Sequence, residues 1–302
     1  MGETVAVRLG RVRRVLATLI AVAVAALWGA ATGLLVPRAA YRLSVDPEEP
    51  WRDTCGAGHA LVGPARGWLG APACAACATH PSSESGPTAP ATSTRPRTAP
   101  RRVAPLRTAF TVPLRTAFTV PLRTVLTAPL LTALACAALA AVTGPRPELA
   151  VWLLLAPFGV LLATVDVRVH RLPDPLTLPL AAAVPLLLLG AELLPYDAGS
   201  WFHALLGGVA LGAGYLVLFL IRPSGMGLGD VKLALGVGAA LGWYGWGVLF
   251  VGTFAAFLAG SLYGLGLVVL RRGSGRSAIP FGPFMIGGAL VGLLLGALSA
   301  SP

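Results

Sequence analysis

Long runs of apolar residues alternate with short polar stretches along most of the chain. A helix needs about 20 predominantly apolar residues to cross the hydrocarbon core of a bilayer, and several runs reach that length. The strand-period alternation of about ten residues that is typical of membrane β-barrels does not recur. We therefore expect an all-α fold, a polytopic membrane helix bundle of about eight transmembrane helices. The predicted spans are 15–36, 128–144, 149–166, 176–194, 201–221, 230–249, 250–270 and 281–299.

The composition agrees with a membrane protein. Of 302 residues, 56% are hydrophobic and only 12% are charged. Soluble globular domains carry about 25% charged residues. This difference excludes an ordinary soluble enzyme, and the high hydrophobicity excludes a chain that is disordered throughout.

A polar segment separates the first predicted span from the others. We therefore divide the chain into residues 1–36, an N-terminal tail and first transmembrane helix; residues 37–127, a poorly ordered cytosolic insert with a cysteine cluster and a linker rich in Pro, Arg and Thr; and residues 128–302, a membrane domain. An eight-residue unit, PLRTAFTV in its first copy, repeats between residues 105 and 136. Because proline returns every eight residues, we expect no continuous regular helix there. The repeat is either a duplication tolerated in a linker or an amphipathic stretch that rests on the membrane.

The charge distribution predicts the topology. The formal net charge is +11, and an external amino terminus places 18 of the 23 Lys and Arg residues on the cytosolic side. A cluster of four arginines near the amino terminus argues against this orientation of the first span. The basic excess is explained by cytosolic loops and anionic headgroups, so we expect a lipid bilayer as partner and no nucleic acid.

Three aspartates lie at the ends of predicted spans rather than in the polar segments: Asp166, Asp174 and Asp230. The topology places all three at the same face of the membrane. A carboxylate inside a membrane is costly, about 2.5–3.5 kcal/mol at a helix centre, so such residues usually have a function. This convergence is the main functional signal in the chain.

Each aspartate also has a purely structural interpretation. Asp166 could form an ion pair with Arg168 or Arg171 at the membrane boundary. Asp174 precedes a proline and an apolar run, which is typical of a helix N-cap. Asp230 could cap a helix after a glycine-rich loop, with Lys232 as its ionic partner.

Taken together, the aspartates favour a role in catalysis or proton transfer. Two carboxylates held close in a site of low dielectric share a proton, so that one can act as a base on water and the other as an acid. Glycines at positions 225, 227 and 229 let the backbone bend and let another segment approach closely. From the residues alone, a paired-aspartate hydrolase and a proton-coupled membrane transporter remain open.

Three segments resemble the motifs of one family. They are DVRVHRLPDPLTLP (166–179), GMGLGDVKL (225–233) and IPFGPFMIGGAL (279–290). In this order they resemble the bacterial type IV prepilin peptidases, membrane aspartyl proteases with a G-x-G-D signature. The resemblance covers roughly residues 128–302.

The resemblance implies a function and a site. Asp166 and Asp230 are then the catalytic aspartates, with Asp174, Lys232 and the three glycines Gly225, Gly227 and Gly229 in supporting roles. The enzyme would remove the leader of prepilin or pseudopilin-like precursors at the cytosolic face of the bacterial plasma membrane, with no cofactor for proteolysis. The alternatives are the proton-coupled transporter, which uses the same aspartates, and a membrane assembly factor whose insert binds a partner.

Many members of the family also methylate the new amino terminus, using S-adenosylmethionine, and carry two C-x-x-C pairs that can bind zinc. Here the second pair is Cys74 and Cys77, whereas the first is reduced to Cys55, with His59 nearby. These four residues can form a Cys₃His zinc site, or the insert can be a relic without metal. The resemblance therefore leaves both zinc and methyl transfer open.

Overall fold

The computed structural model describes residues 2–46, 49–70, 74, 76–77, 122–223, 226–270 and 279–300. The regular elements of these residues are helices, which confirms the predicted all-α fold. They are α1 (Gly2–Gly33), α2 (Val36–Leu43), α3 (Leu122–Thr143), α4 (Glu148–Val169), α5 (Asp174–Glu192), α6 (Trp201–Ile221), α7 (Leu228–Gly242), α8 (Trp246–Val269) and α9 (Gly282–Ser299), besides a four-residue turn at Pro64–Gly67.

Within the described residues, seven helical segments are long and apolar enough to cross a membrane. The predicted span 230–249 is the exception, because α7 has only 15 residues. At 1.5 Å per residue it measures about 22 Å, less than the roughly 30 Å of the hydrocarbon core. The chain turns between α7 and α8 at Gly245, whose φ is +100°. The apolar run continues through this turn, so hydropathy places the boundary between the two helices several residues too late.

Large apolar side chains cover the outer surfaces of the bundle. Leu220, Phe250 and Phe254 are each 67% exposed. A soluble monomer rarely exposes a continuous apolar surface of this kind. The outward faces are therefore the surfaces that contact lipid, and the chain is a multi-pass membrane protein.

Small residues bring the helices close together inside the bundle. Helices α6 and α7 cross where Gly207 meets Gly238 and Gly242: a Cβ atom at residue 207 would lie 2.6 Å from the Gly238 carbonyl oxygen. Helices α8 and α9 meet in the same way at Gly252 and Gly288. Such contacts let backbones pack directly, which is how membrane helices associate without a hydrophobic driving force.

The last part of the repeat segment is helical. Helix α3 continues through Pro129, which corrects the expectation that the repeat prolines prevent a regular helix at this position. In a bilayer, backbone groups find no water partners, so a helix is favoured even across a proline. Helix α1 packs against this part of α3, with Gly33 lying next to Pro129. The remainder of the repeat and the proposed linker lie outside the described residues.

Helix α2 joins the membrane bundle to the first part of the insert. Its Arg38 side chain donates a hydrogen bond to the Val62 carbonyl at 2.8 Å, and Arg42 donates one to the Arg66 carbonyl at 3.1 Å. The Arg42 guanidinium also lies 4.4 Å from the centre of the Trp68 ring. The two arginines therefore hold residues 62–68 against the end of the bundle.

Candidate active site

Asp166 lies in the last turn of α4 and is only 4% exposed. Its Oδ2 atom accepts a hydrogen bond from the Gly282 backbone N–H at 2.8 Å. The helix ends four residues later at His170, which adopts a left-handed conformation (φ 50°) and donates its N–H to the Asp166 carbonyl. The described contacts of the Asp166 carboxylate are therefore with backbone, not with Arg168 or Arg171 as the structural interpretation proposed.

Gly282 is adapted to this contact. A Cβ atom at residue 282 would lie 2.8 Å from Asp166 Oδ2 and 3.2 Å from its Cγ. The preceding residue, Phe281, packs against Tyr215 and Phe257, with ring centres 6.1 and 5.1 Å away. This aromatic cluster fixes the start of α9 and thereby aims the Gly282 N–H at the aspartate.

Asp230 is the third residue of α7. Its Oδ2 atom accepts a hydrogen bond from the Gly227 N–H at 3.2 Å, so its carboxylate caps the start of its own helix. Gly227 has φ −85°, a conformation open to any residue. Gly229 has a steric role, because a Cβ atom there would lie 2.9 Å from Leu172 Cβ. Gly225 lies outside the described residues.

The two aspartates lie on neighbouring helix ends. Gly229 lets the start of α7 approach Leu172, in the loop that follows α4. Burial, followed by the charge of Asp166, raises the pKa of Asp230. Two carboxylates within range of each other, away from bulk water, cannot both carry a full charge at low cost. The arrangement can therefore hold one shared proton, the state that acid–base hydrolysis of a peptide bond requires.

Asp174 and Lys232 form an ion pair beside this site. The distance between Lys232 Nζ and Asp174 Oδ1 is 2.7 Å. This corrects two expectations: Asp174 makes no side-chain cap, because Pro173 holds the N-cap position of α5, and Lys232 pairs with Asp174 and not with Asp230. The pair joins the first turns of α5 and α7.

A second cluster of reactive side chains lies in the insert. The ligand atoms of Cys55, His59, Cys74 and Cys77 all lie within 4.8 Å of one another. Cys55 Sγ is 3.7 Å from both Cys77 Sγ and His59 Nδ1, and His59 Nδ1 is 3.3 Å from Cys77 Sγ. A tetrahedron around zinc, with bonds of about 2.0–2.3 Å, has edges of roughly 3.3–3.8 Å. The three distances among Cys55, His59 and Cys77 match these edges, and Cys74 offers a fourth ligand atom within 4.8 Å.

The backbone around Cys55 stabilises a thiolate. Burial raises the pKa of its thiol, but hydrogen bonds from the backbone at Ala57 and His59 and from the neighbouring thiols lower that pKa to about 6. The thiolate is the form of cysteine that binds metal ions. Hydrogen bonds thus favour the metal-binding form at Cys55, one of the four potential ligands.

Comparison with known proteins bears on the aspartate site. Residues 153–265 match the model of the type IV leader peptidase family. That segment contains Asp166, Asp174, Asp230 and Lys232. The resemblance seen in the sequence motifs is thereby confirmed for the part of the chain that carries the aspartates.

Individual relatives give the same result. The chain is 35% identical over 158 residues to the prepilin leader peptidase/N-methyltransferase of Aeromonas salmonicida (strain A449), covering 49% of this chain and 48% of the relative. For the protein of the same name from Aeromonas hydrophila the identity is 36% over 163 residues (49% and 48% covered), and for that of Bacillus subtilis (strain 168) it is 30% over 137 residues (45% and 52% covered). The chain thus aligns with about half the length of these relatives. No solved structure gives a significant match.

Two features of the chain lie outside the segment that matches the leader peptidase family. The cysteine cluster precedes residue 153, and the start of α9 follows residue 265. The contact of Gly282 with Asp166 was not predicted from sequence, where the segment 279–290 served only as one of the three family motifs. The sequence did contain a signal for this contact, the glycine–proline pair at residues 282 and 283. Because glycine has no side chain, Asp166 has room beside the Gly282 backbone N–H.

Proposed function

We propose that this chain is a membrane aspartyl endopeptidase that removes the leader peptide from type IV prepilin or pseudopilin-like precursors. The observation that carries the proposal is the pair of aspartates, Asp166 and Asp230, held at one end of the bundle within the leader peptidase segment. The names of the relatives support the substrate class. We place the enzyme in the bacterial plasma membrane, with the aspartates at its cytosolic face.

The reaction follows from one shared proton. In the resting site one aspartate is ionised and the other is protonated. The ionised carboxylate takes a proton from water as the water oxygen attacks the scissile carbonyl carbon, and the protonated aspartate gives its proton to the carbonyl oxygen. Collapse of the tetrahedral intermediate breaks the C–N bond, the leaving amine receives a proton from the first aspartate, and the second regains its proton from the intermediate.

A backbone N–H group holds the carboxylate of each aspartate in place for this reaction. The Gly282 N–H binds one oxygen of Asp166, and the Gly227 N–H binds one oxygen of Asp230. The remaining oxygen of each carboxylate is the one assigned to water and substrate. The Asp174–Lys232 pair positions the start of α7, on which Asp230 lies.

The test is cleavage of a co-expressed pilin-like precursor in membranes, followed by gel mobility. We expect the wild type and the control Asp197→Asn to cleave the precursor, and Asp166→Asn and Asp230→Asn to leave it intact at equal protein levels. Cleavage by both aspartate variants would overturn the mechanism. If deletion of residues 50–80 abolishes precursor processing while both variants remain active, the chain is an assembly factor. If the wild type cleaves none of a panel of precursors but moves protons through Asp166 and Asp230, the transporter alternative is correct.

We further propose that Cys55, His59, Cys74 and Cys77 bind zinc, which when bound would cross-link residues 55–59 to residues 74–77. The distances between their ligand atoms support this assignment. We expect about one zinc per chain by elemental analysis of the purified protein, and a large loss for Cys77→Ser. Cys136→Ser is the control, because Cys136 is buried in α3. Equal zinc content in Cys77→Ser and Cys136→Ser would contradict the site.

Methylation of the new amino terminus with S-adenosylmethionine is the second activity in the relatives' name. We propose that this chain retains it if the insert holds zinc, because the cluster orders the segment that distinguishes methylating members. Mass spectrometry of the cleaved product from wild type and Cys77→Ser checks this. A methylated product from wild type alone supports the proposal, and an unmethylated product from a zinc-loaded wild type contradicts it.

A further inference from the structure

A long apolar groove opens on the side of the bundle, beside the aspartate site. It has a volume of about 610 Å³ and is lined by residues of α3, α4, α5, α7 and α9. Its walls are almost entirely apolar, with Leu131, Phe158 and Leu290 among the lining side chains. Two basic residues, Arg168 and Lys232, stand at the end nearest the aspartates. We call this space the lateral groove, and the end with the two basic residues its mouth.

The mouth of the lateral groove carries uncompensated positive charge. Lys232 is neutralised by Asp174, but Arg168 is exposed and, within the described part of the chain, forms no ion pair. The mouth therefore favours an anionic group.

The dimensions of the lateral groove restrict what can fill it. The α4 residues that line it run from Trp152 to Arg168, a depth of about 24 Å at 1.5 Å per residue. One leaflet of the hydrocarbon core is about 15 Å deep. The groove is thus deep enough for the acyl chains of one leaflet.

We propose that the lateral groove binds an anionic phospholipid, with its acyl chains along the apolar walls and its phosphate at Arg168. Charge at the mouth, apolar walls and a depth suited to hydrocarbon chains all point to the same ligand. Because Arg168 lies two residues after Asp166, a bound lipid would sit directly beside the aspartate site.

The test uses the purified full-length chain in detergent, with phosphatidylglycerol or phosphatidylcholine of identical acyl chains, and native mass spectrometry as the measurement. We expect the wild type to retain phosphatidylglycerol several-fold more than phosphatidylcholine. Arg168→Gln should lose most of that preference. Arg222→Gln is the matched control, an exposed arginine at the end of α6 that does not line the groove. No preference in the wild type, or equal losses in the two arginine variants, overturns the proposal.

A second variant tests the groove itself. Gly287 lines the groove, and a Cβ atom there would meet no atom within 4 Å, so Gly287→Leu fills the space without a clash at the helix backbone. We expect it to reduce retention of phosphatidylglycerol. Unchanged lipid retention together with weaker precursor cleavage would show that the groove holds the substrate instead. Asp166→Asn should bind lipid like the wild type, so a failure of the proposed protease function and a failure of lipid binding can be told apart.

Discussion

At the scale of single residues, the site depends on backbone donors as much as on carboxylates. Asp166 and Asp230 were predicted from sequence as the candidate pair, because an acidic residue at the end of an apolar run is rare and costly. Gly282 was not, because its partner lies 116 positions away and glycine carries no side chain that signals chemistry. His59 lies between these cases: its place near three cysteines indicated a ligand, and its ring nitrogen does lie 3.3 Å from Cys77 Sγ.

We predict that Gly282→Ala strongly reduces precursor cleavage. The added Cβ would lie 2.8 Å from Asp166 Oδ2, so either the carboxylate or the start of α9 must shift. A displacement of about 1 Å in a catalytic group can lower the rate roughly 100-fold. Cleavage rates in membranes, normalised to protein level, check this. Gly266→Ala is the control, since a Cβ atom there meets nothing within 4 Å, and equal rates for the two variants would show that the Gly282 contact is dispensable.

At the scale of elements, hydropathy located the spans but not how they pack. The predicted boundaries of α5 and α6 lie within two residues of the observed helices. The turn at residues 243–245 was missed, because no charged residue interrupts the sequence between the two helices. The close contact of α6 with α7 was also beyond the sequence, since glycines occur throughout both helices and their spacing alone does not identify which ones meet.

We predict that Gly207→Leu destabilises the bundle, whereas Gly214→Leu on the same helix does not. A side chain at residue 207 would enter the α7 backbone, with Gly238 O at 2.6 Å and Gly242 Cα at 2.9 Å, while residue 214 has open space around it. Overpacking of this kind costs about 1–3 kcal/mol or more. Thermal unfolding in detergent measures the difference. Similar melting temperatures for the two variants would contradict the packing of α6 on α7.

At the scale of the whole molecule, the same three helices are joined at both faces of the membrane. At the aspartate end, α4 and α9 meet through Asp166 and Gly282, with α7 beside them. At the opposite end, Tyr244, just after α7, accepts a hydrogen bond from Trp152 Nε1 at 3.2 Å and donates one to Glu148 Oε1 at 3.5 Å, both on α4. Arg146 connects this network to the end of α9 through the carbonyls of Ala297 and Ala300. Inside the lipid-facing surfaces, contacts at both ends therefore join α4, α7 and α9 to one another.

We predict that Glu148→Ala lowers the stability of the whole protein. Glu148 is fully buried and lies 4.0 Å from Arg146, so its removal leaves a largely buried guanidinium without its carboxylate. Breaking such a pair costs about 3–5 kcal/mol. The free energy of unfolding in detergent measures the change, with the exposed Glu192→Ala as control. A loss no larger than that of Glu192→Ala would show that the network does not stabilise the bundle.

The shared-proton aspartate pair is tested most directly by the rate of precursor cleavage by Asp166→Asn, Asp230→Asn and the double variant, all at matched protein levels. Residues that act as one catalytic unit give strongly non-additive losses. We predict that each single variant loses nearly all activity and that the double variant is no slower than either. Losses that multiply, or a single variant that retains substantial activity, would contradict a shared-proton aspartate pair.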